Sequence, residues 1–292
     1  MEKTIYDKLV LLDNIKNDIK QAIEEKNVVV GDIPYSDYPN KIREIKGGSE
    51  PINVGEIGLF FTNSQWENIP ENFDFSDVEK FDYMFEKNTK LTEIDINTDK
   101  GNSFQYAFRN CLELKKAKLT QIKNSNNISS LFYNCSKLEE IECEFDFTTI
   151  NNFGLCFFGC KSLKSFGDID LRYATNSQGI LYNCNNLESL GKVYCNPDKL
   201  PNILDATEYS KLTDFGGYIG LKKTYNGTGD ISYMPNLSYQ SCINVLNGLY
   251  DFIGNGETPD DYQVIRVSQN FIDTIGDDIS IAINRGWSLV TN

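Results

Sequence analysis

No histidine occurs among the 292 residues. That absence removes every nucleophile that depends on an imidazole base, both the Ser-His-Asp and the Cys-His kinds. It also removes the commonest partner of cysteine at zinc. Basic stretches are missing too. The chain carries 28 Lys and Arg against 42 Asp and Glu, a formal net charge of −14. A nucleic-acid binder needs a basic stripe, and this sequence has none. No run of about 20 apolar residues exists to span a membrane. No glycine loop of the phosphate-binding kind occurs. The opening residues Met1 to Lys20 lack the continuous apolar core of a secretory leader and soon carry acidic residues. The expectation is therefore a chain kept in a cytosol, or one that leaves by a route other than secretion.

What is present is a period. Leucines 91, 114, 138, 163, 187 and 212 follow one another at intervals of 23, 24, 25, 24 and 25 residues. A period in this range signals stacked, near-identical turns. Four turns carry a cysteine three residues before the leucine: Cys111 before Leu114, Cys135 before Leu138, Cys160 before Leu163 and Cys184 before Leu187. An aromatic or leucine precedes each cysteine by three: Phe108, Phe132, Phe157 and Leu181. In the first turn Phe85 and Asn88 hold these two places before Leu91, and in the last Tyr209 holds the cysteine place before Leu212.

After each leucine the pattern is two residues, an apolar one, another residue, and a second apolar one. Ile94 and Ile96, or Ile141 and Cys143, are examples. A spacing of two is the strand period, so both face one side. The expectation is one short strand per turn, paired in parallel into one continuous sheet roughly 25–30 Å long for six rungs at about 4.8 Å. In the later turns Gly167, Gly191 and Gly216 follow the first apolar residue after the leucine, and the next apolar residue comes one later, at Ile169, Val193 and Tyr218. Glycine inside a strand marks a bulge or a close backbone approach, so a bend is expected there.

Ladders of cysteine at this spacing read as reduced residues in the core, where a free thiol packs like a small hydrophobe. Cys156 and Cys160 are the one closely spaced pair, and zinc is not expected there. Asp95, Asn97, Asp99 and Gly101 approach a calcium loop, but the glycine is one place late and Tyr106 stands where a glutamate is needed. The segment reads as a turn between repeats. Paired carboxylates for glycoside hydrolysis need a cleft, which a regular stack does not supply. No catalytic residue, metal or cofactor is expected, and the chain is not read as an enzyme. Tyr173, Tyr182, Tyr194, Tyr209 and Tyr225 are candidates for partial exposure. With Asn and Asp nearby they suit a glycan or protein receptor, although ordinary surface tyrosines are the plainer reading.

Ile5, Leu9, Leu12, Ile15, Ile19 and Ile23 recur at steps of 4, 3, 3, 4 and 4, close to a coiled-coil seam. A lone helix of this length is marginal in water. It needs other copies of itself, a host surface, or its own repeat domain to pack on. Lys46-Gly47-Gly48-Ser49-Glu50-Pro51 reads as a linker. From about residue 231 the repeat period is lost. A helix over Leu237 to Leu249 with Ser238 as N-cap, a strand over Tyr262 to Val267 and a short helix from Gly276 ending at Gly286 are expected to cap the last rung.

The repeat, with Asn110-Cys111, Asn134-Cys135, Gly159-Cys160 and Asn183-Cys184 before their leucines, resembles the BspA-like leucine-rich repeat over about residues 80 to 220. The resemblance implies an α/β solenoid: BspA-like leucine-rich repeats with a parallel sheet, an N-terminal helical anchor and an α+β C-terminal cap. The expected organisation is 1–46 helical anchoring and oligomerisation segment, 47–80 linker and N-terminal cap, 81–230 solenoid and 231–292 C-terminal cap. That repeat family is common in bacterial surface proteins and in tail or fibre proteins of tailed phages. Ile19 to Lys26 and Pro34 to Ile45 resemble a module at the N-terminus of many phage tail and fibre proteins. This second resemblance implies attachment to a particle, with Tyr35, Tyr38 and Ile42 as packing residues. The closing Ile281-Ala282 and Gly286-Trp287 resemble the end of phage-borne proteins of this repeat class. Together they imply a virion structural protein, fibre-like, assembled in the host cytoplasm. Its expected partners are its own copies as a trimer or dimer, other virion proteins through the N-terminal segment, and a host surface glycan or protein. No nucleic acid or membrane insertion is expected. The alternative is a bacterial cell-surface adhesin of the same repeat class.

Overall fold

The structure is a computed structural model that describes residues 20, 21, 24, 52–53, 61–63, 66–69, 73–196, 203–204, 209–222, 228–259 and 263–291. The seam residues Ile5, Leu9, Leu12, Ile15, Ile19 and Ile23 lie outside the described residues, as do Tyr35, Tyr38 and Ile42. In that segment Lys20, Gln21 and Glu24 are described, and all three are helical.

Five successive turns are each organised by two left-handed residues four apart. They are Tyr83 and Lys87, Tyr106 and Asn110, Ser130 and Asn134, Leu155 and Gly159, Gly179 and Asn183, with φ between 56° and 73°. Glycine and asparagine tolerate this region best, which explains the Asn or Gly before each ladder cysteine. The alternation aims every second amide at the next turn. Phe85 donates to the Ala107 carbonyl (2.8 Å), Phe108 to Leu131 (2.8 Å), Phe132 to Cys156 (2.8 Å) and Phe157 to Ile180 (2.9 Å). Successive turns are thus hydrogen-bonded one on the next on the side away from the strands.

Inside that side runs a column of rings. Phe61, Phe85, Phe108, Phe132 and Phe157 stack with centroids 5.5, 5.1, 5.1 and 5.7 Å apart. Phe61 stands 24 residues before Phe85, so the column starts one turn earlier than the leucine ladder. Fully burying one such ring is worth about 1.5–3 kcal/mol, and the column repeats that gain once per turn.

The strands are parallel, but they do not form one continuous sheet. β1 (Ile52–Asn53) pairs β2 (Phe73–Asp74). β3 (Glu93–Ile96), β4 (Lys116–Ile122) and β5 (Glu140–Phe145) form a second sheet. Beyond β5 each strand is broken in two: β6 (Ser165–Phe166) and β7 (Ile169–Asp170), β8 (Ser189–Leu190) and β9 (Val193–Tyr194), β10 (Asp214–Phe215) and β11 (Tyr218–Ile219). The first members of these pairs make one sheet and the second members another. The breaks fall at Gly167, Gly191 and Gly216. A Cβ on Gly191 would lie 2.6 Å from the Gly167 carbonyl carbon, and one on Gly216 would lie 2.7 Å from the Gly191 carbonyl carbon. The bend expected at these glycines is there, and it divides the single sheet inferred from the spacing.

Beyond the stack, β12 (Thr228–Asp230), β13 (Val264–Val267) and β14 (Ser288–Thr291) form a last parallel sheet in that order. α1 (Tyr239–Gly248) lies against β10 and β11. Ser238 is its N-cap, accepting from the Ser241 amide at 3.2 Å. α1 supplies the groups that a next strand would have supplied. Ser241 Oγ accepts the Phe215 amide (2.8 Å), Asn244 Nδ2 donates to the Phe215 carbonyl (3.1 Å), and the Gly220 amide donates to the Gly248 carbonyl (2.8 Å). α2 (Gln269–Ile275), absent from the sequence reading, follows β13. The short helix foreseen from Gly276 is a 3-10 turn (Gly276–Ile279) running into α3 (Ser280–Ile283). Gly286 closes it with φ 87°, and Trp287 is buried with its Nε1 donating to the Tyr250 carbonyl at 2.8 Å. No helix of the described residues is long and apolar enough to cross a membrane.

Candidate contact face

The repeat-core residues converge on the interior. Leu91, Leu114, Leu138, Leu163, Leu187 and Leu212 are all buried, as are Cys111, Cys135, Cys160 and Cys184. All eight cysteines are free. The ladder thiols do more than fill space. Cys111 Sγ donates to the Phe85 carbonyl (3.1 Å), Cys135 to Phe108 (3.0 Å), Cys160 to Phe132 (3.2 Å) and Cys184 to Phe157 (3.2 Å). Each accepting carbonyl belongs to the preceding turn and already takes the amide three residues on, so the thiol occupies its second lone pair. The two deviant turns keep the donor. Asn88 Nδ2 reaches the Phe61 carbonyl (2.7 Å), and Tyr209 Oη reaches Leu181 (2.9 Å). The slot therefore selects for a hydrogen-bond donor, and Tyr209, expected to be partly exposed, is buried because it serves here. Burial pushes the Cys135, Cys156 and Cys160 thiols well up from their ordinary value.

Chemistry offered to solvent lies on the outer face of β3, β4 and β5. Alternation points Glu93 and Asp95 outward on β3, Lys116 and Lys118 on β4, and Glu140, Glu142 and Glu144 on β5. Signs alternate strand by strand. Lys118 pairs Asp95 (2.8 Å), Lys116 pairs Glu140 (3.2 Å) and Glu142 (2.7 Å), and Lys123 pairs Glu144 (2.8 Å). Lysine hydrogen bonds to these carboxylates raise the ammonium pKa of Lys116, Lys118 and Lys123, and the bond from Lys116 lowers that of Glu142. Exposed pairs of this kind, screened by solvent, add little to stability. They pattern the face with alternating charge.

Two clefts flank this sheet. One of about 490 Å³ follows β5 and is lined by Ile141, Cys143, Phe145, Phe147, Phe166 and Gly167, with Glu139, Glu140 and Asp168 at its edge. The other, about 440 Å³, precedes β3 and is lined by Ile69, Phe73, Phe75 and Ile94 beneath the charged row. Sequence reasoning passed over the first cleft. Its apolar residues obey the ordinary inward alternation, and only their half-exposure in place marks them.

The remaining candidates are placed as follows. Tyr173 is 56% exposed, while Tyr182 and Tyr194 are half-buried. Arg172 stands over the Tyr194 ring at 5.4 Å and pairs Asp170. Tyr225 lies outside the described residues. Asp95 is held by Lys118, Asn97 accepts the Asp99 amide (2.9 Å), and Asp99 accepts Thr120 Oγ1 (2.7 Å), so the calcium-like segment is tied up as a turn. Among the described residues no group of three or more Cys, Asp and Glu gathers as metal ligands.

Residues 56–188 match the family described as BspA type leucine rich repeat region, in six copies. No curated protein matches the chain. The matched stretch is similar to that repeat region, its parallel strands fall into small sheets, and its start before Phe61 agrees with the ring column beginning there. Repeats of this type build extended surfaces for protein contact.

Proposed function

We propose that this chain is a fibre-like structural protein of a bacteriophage virion, a solenoid that is held to the particle by its N-terminal segment and presents its repeat face to host or virion proteins. The carrying observation for a contact role is the sign-alternating outer face of β3 to β5, flanked by two apolar clefts on a rigid hydrogen-bonded stack. A rigid, patterned surface binds with little ordering cost. The virion assignment is supported by the resemblance of Ile19 to Lys26 and Pro34 to Ile45 to the phage module. The proposed assembly is a trimer or dimer through Ile5, Leu9, Leu12, Ile15, Ile19 and Ile23, because a helix with one apolar seam needs a partner. No catalytic role, cofactor, nucleic acid or membrane insertion belongs to this reading.

The test is the solution mass of the full chain beside one starting at Gly48, by light scattering. The expected outcome is an oligomer that becomes monomeric on truncation. Monomers in both samples would overturn the assembly. Detection of the chain in purified particles by mass spectrometry tests the virion placement, and its recovery from a bacterial cell surface instead would favour an adhesin.

A further inference from the structure

From Phe73 to Asn196 the chain is described without interruption. Across that stretch, the strand side of successive turns from β3 onward is joined by ladder bonds with one exception. β3 to β4 and β4 to β5 are paired, and so are β6 to β8 and β7 to β9. β5 and β6 are not. The last bond there is from the Ser162 amide to the Ser136 carbonyl (3.1 Å). Among the described residues, the backbone of Glu139 through Phe145 bonds only toward the β4 turn. The far side of the same two turns is fully joined: Ile128 to Asn152 (3.0 Å), Ser130 to Gly154 (2.9 Å), Phe132 to Cys156 (2.8 Å) and Asn134 to Phe158 (2.6 Å). The two turns are closed on one side and parted on the other.

The glycines register the same opening independently. At Gly191 and Gly216 the preceding turn leaves no room for a Cβ. At Gly167, the equivalent place, nothing lies within 4 Å. The cause is local. β5 has Glu142 after Ile141 where the next turn has Gly167 after Phe166, so it runs on straight through Phe145 whereas the next turn bends at Gly167. A straight strand and a bent one cannot keep register, and the 490 Å³ cleft is the result.

An unpaired strand edge above half-buried apolar side chains is a template for another strand. Charge selects which one. The outer rows run acidic on β3, basic on β4 and acidic on β5. Three carboxylates and no lysine or arginine line the cleft. We infer that the cleft between β5 and β6 accepts an extended segment of a partner protein as an added strand, apolar at alternate positions with lysine or arginine between them. The apolar positions enter among Ile141, Cys143, Phe145 and Phe166, and the cations lie beside Glu140, Glu142 and Glu144. Main-chain bonds to the open edge supply affinity, and the alternation supplies register. This rests on the reading of the chain as a contact protein and is independent of its virion placement.

The test is calorimetric titration of the full chain with a capped eight-residue peptide of alternating lysine and valine, with hydrogen exchange read on the same complex. The expected result is binding that weakens with salt and falls at least about tenfold when the valines are N-methylated or the order is scrambled. The amides of Ile141 to Phe145 gain protection. Gly167→Trp, which fills the open space, abolishes binding with an unchanged melting temperature. Charge reversal in the doubly substituted E142K/E144K protein moves preference to a glutamate and valine peptide. Equal binding of the scrambled peptide, protection away from β5, or full binding by Gly167→Trp would each overturn the inference. So would self-association of the chain through this edge, abolished by Gly167→Trp, because a second copy would then be the occupant. Oligomer loss on truncation at Gly48 with no peptide binding would sink this inference and leave the contact reading standing.

Discussion

A single atom decides the character of the cysteine slot. Its Sγ hydrogen fills the second lone pair of a buried carbonyl one turn back, so removal and replacement have different costs. Cys135→Ala should lose about 1–2 kcal/mol in urea unfolding, from the vacated bond and the small void together. Cys135→Ser keeps a donor and should lose less. Equal losses for the two would show that the slot wants only volume. The left-handed positions carry a second residue-scale cost. Lys87 holds φ 61° where neighbouring turns have Asn or Gly, and its side chain is exposed. Lys87→Asn should therefore raise stability by about 0.5–1 kcal/mol, and an unchanged urea midpoint would refute the strain argument. At the other left-handed position, Tyr106 stacks on Tyr83 at 4.9 Å and lies under the Arg109 guanidinium at 4.8 Å.

At the scale of elements, strand length and the glycine after the first apolar residue of the strand control how turns join. Where the glycine is present in consecutive turns, the backbones approach too closely for any side chain. Gly191→Ala should cost about 1–3 kcal/mol, since its Cβ would meet backbone that cannot give way. Gly167→Ala should be near neutral, because its Cβ points into the cleft. Thermal unfolding of the two variants side by side checks this, and similar losses would mean that the cleft is closed in solution. These elements also divide what was legible from what was not. The six strand positions and the bend at Gly167, Gly191 and Gly216 follow from period and composition. The break of the sheet after β5 does not, because it depends on a mismatch between two neighbouring turns that each obey the repeat.

For the whole molecule, the free thiols link fold to pH. Burial pushes Cys143 and Cys195 up to about 12 and Cys242 up to about 11, from an ordinary value of 9.0. An acid whose pKa is raised by folding binds its proton more tightly folded than unfolded. Its contribution is intact below pH 9 and is lost as pH rises from there toward 12. Stability measured by urea titration should hold from pH 7 to 9 and then fall steadily. A flat profile to pH 11 would mean that these thiols titrate in the fold as they do in the open chain. At neutral pH the same burial should make the thiols slow toward alkylating reagents until the chain is unfolded.

By itself, the sequence determined the period, the ladder leucines, the reduced cysteine core and the helical cap opened by Ser238, because each follows from local spacing or local chemistry repeated along the chain. It also carried the signal for the ring column, since Phe61 is in phase with Phe85, although the leucine ladder hid it. The tertiary structure alone decided that Asn88 and Tyr209 are full members of the donor ladder, that Tyr209 is interior, and that parallel strands fall into small sheets instead of one. Those outcomes depend on which carbonyl meets which donor across the stack and on whether neighbouring turns bend alike, and only packed turns settle such pairings.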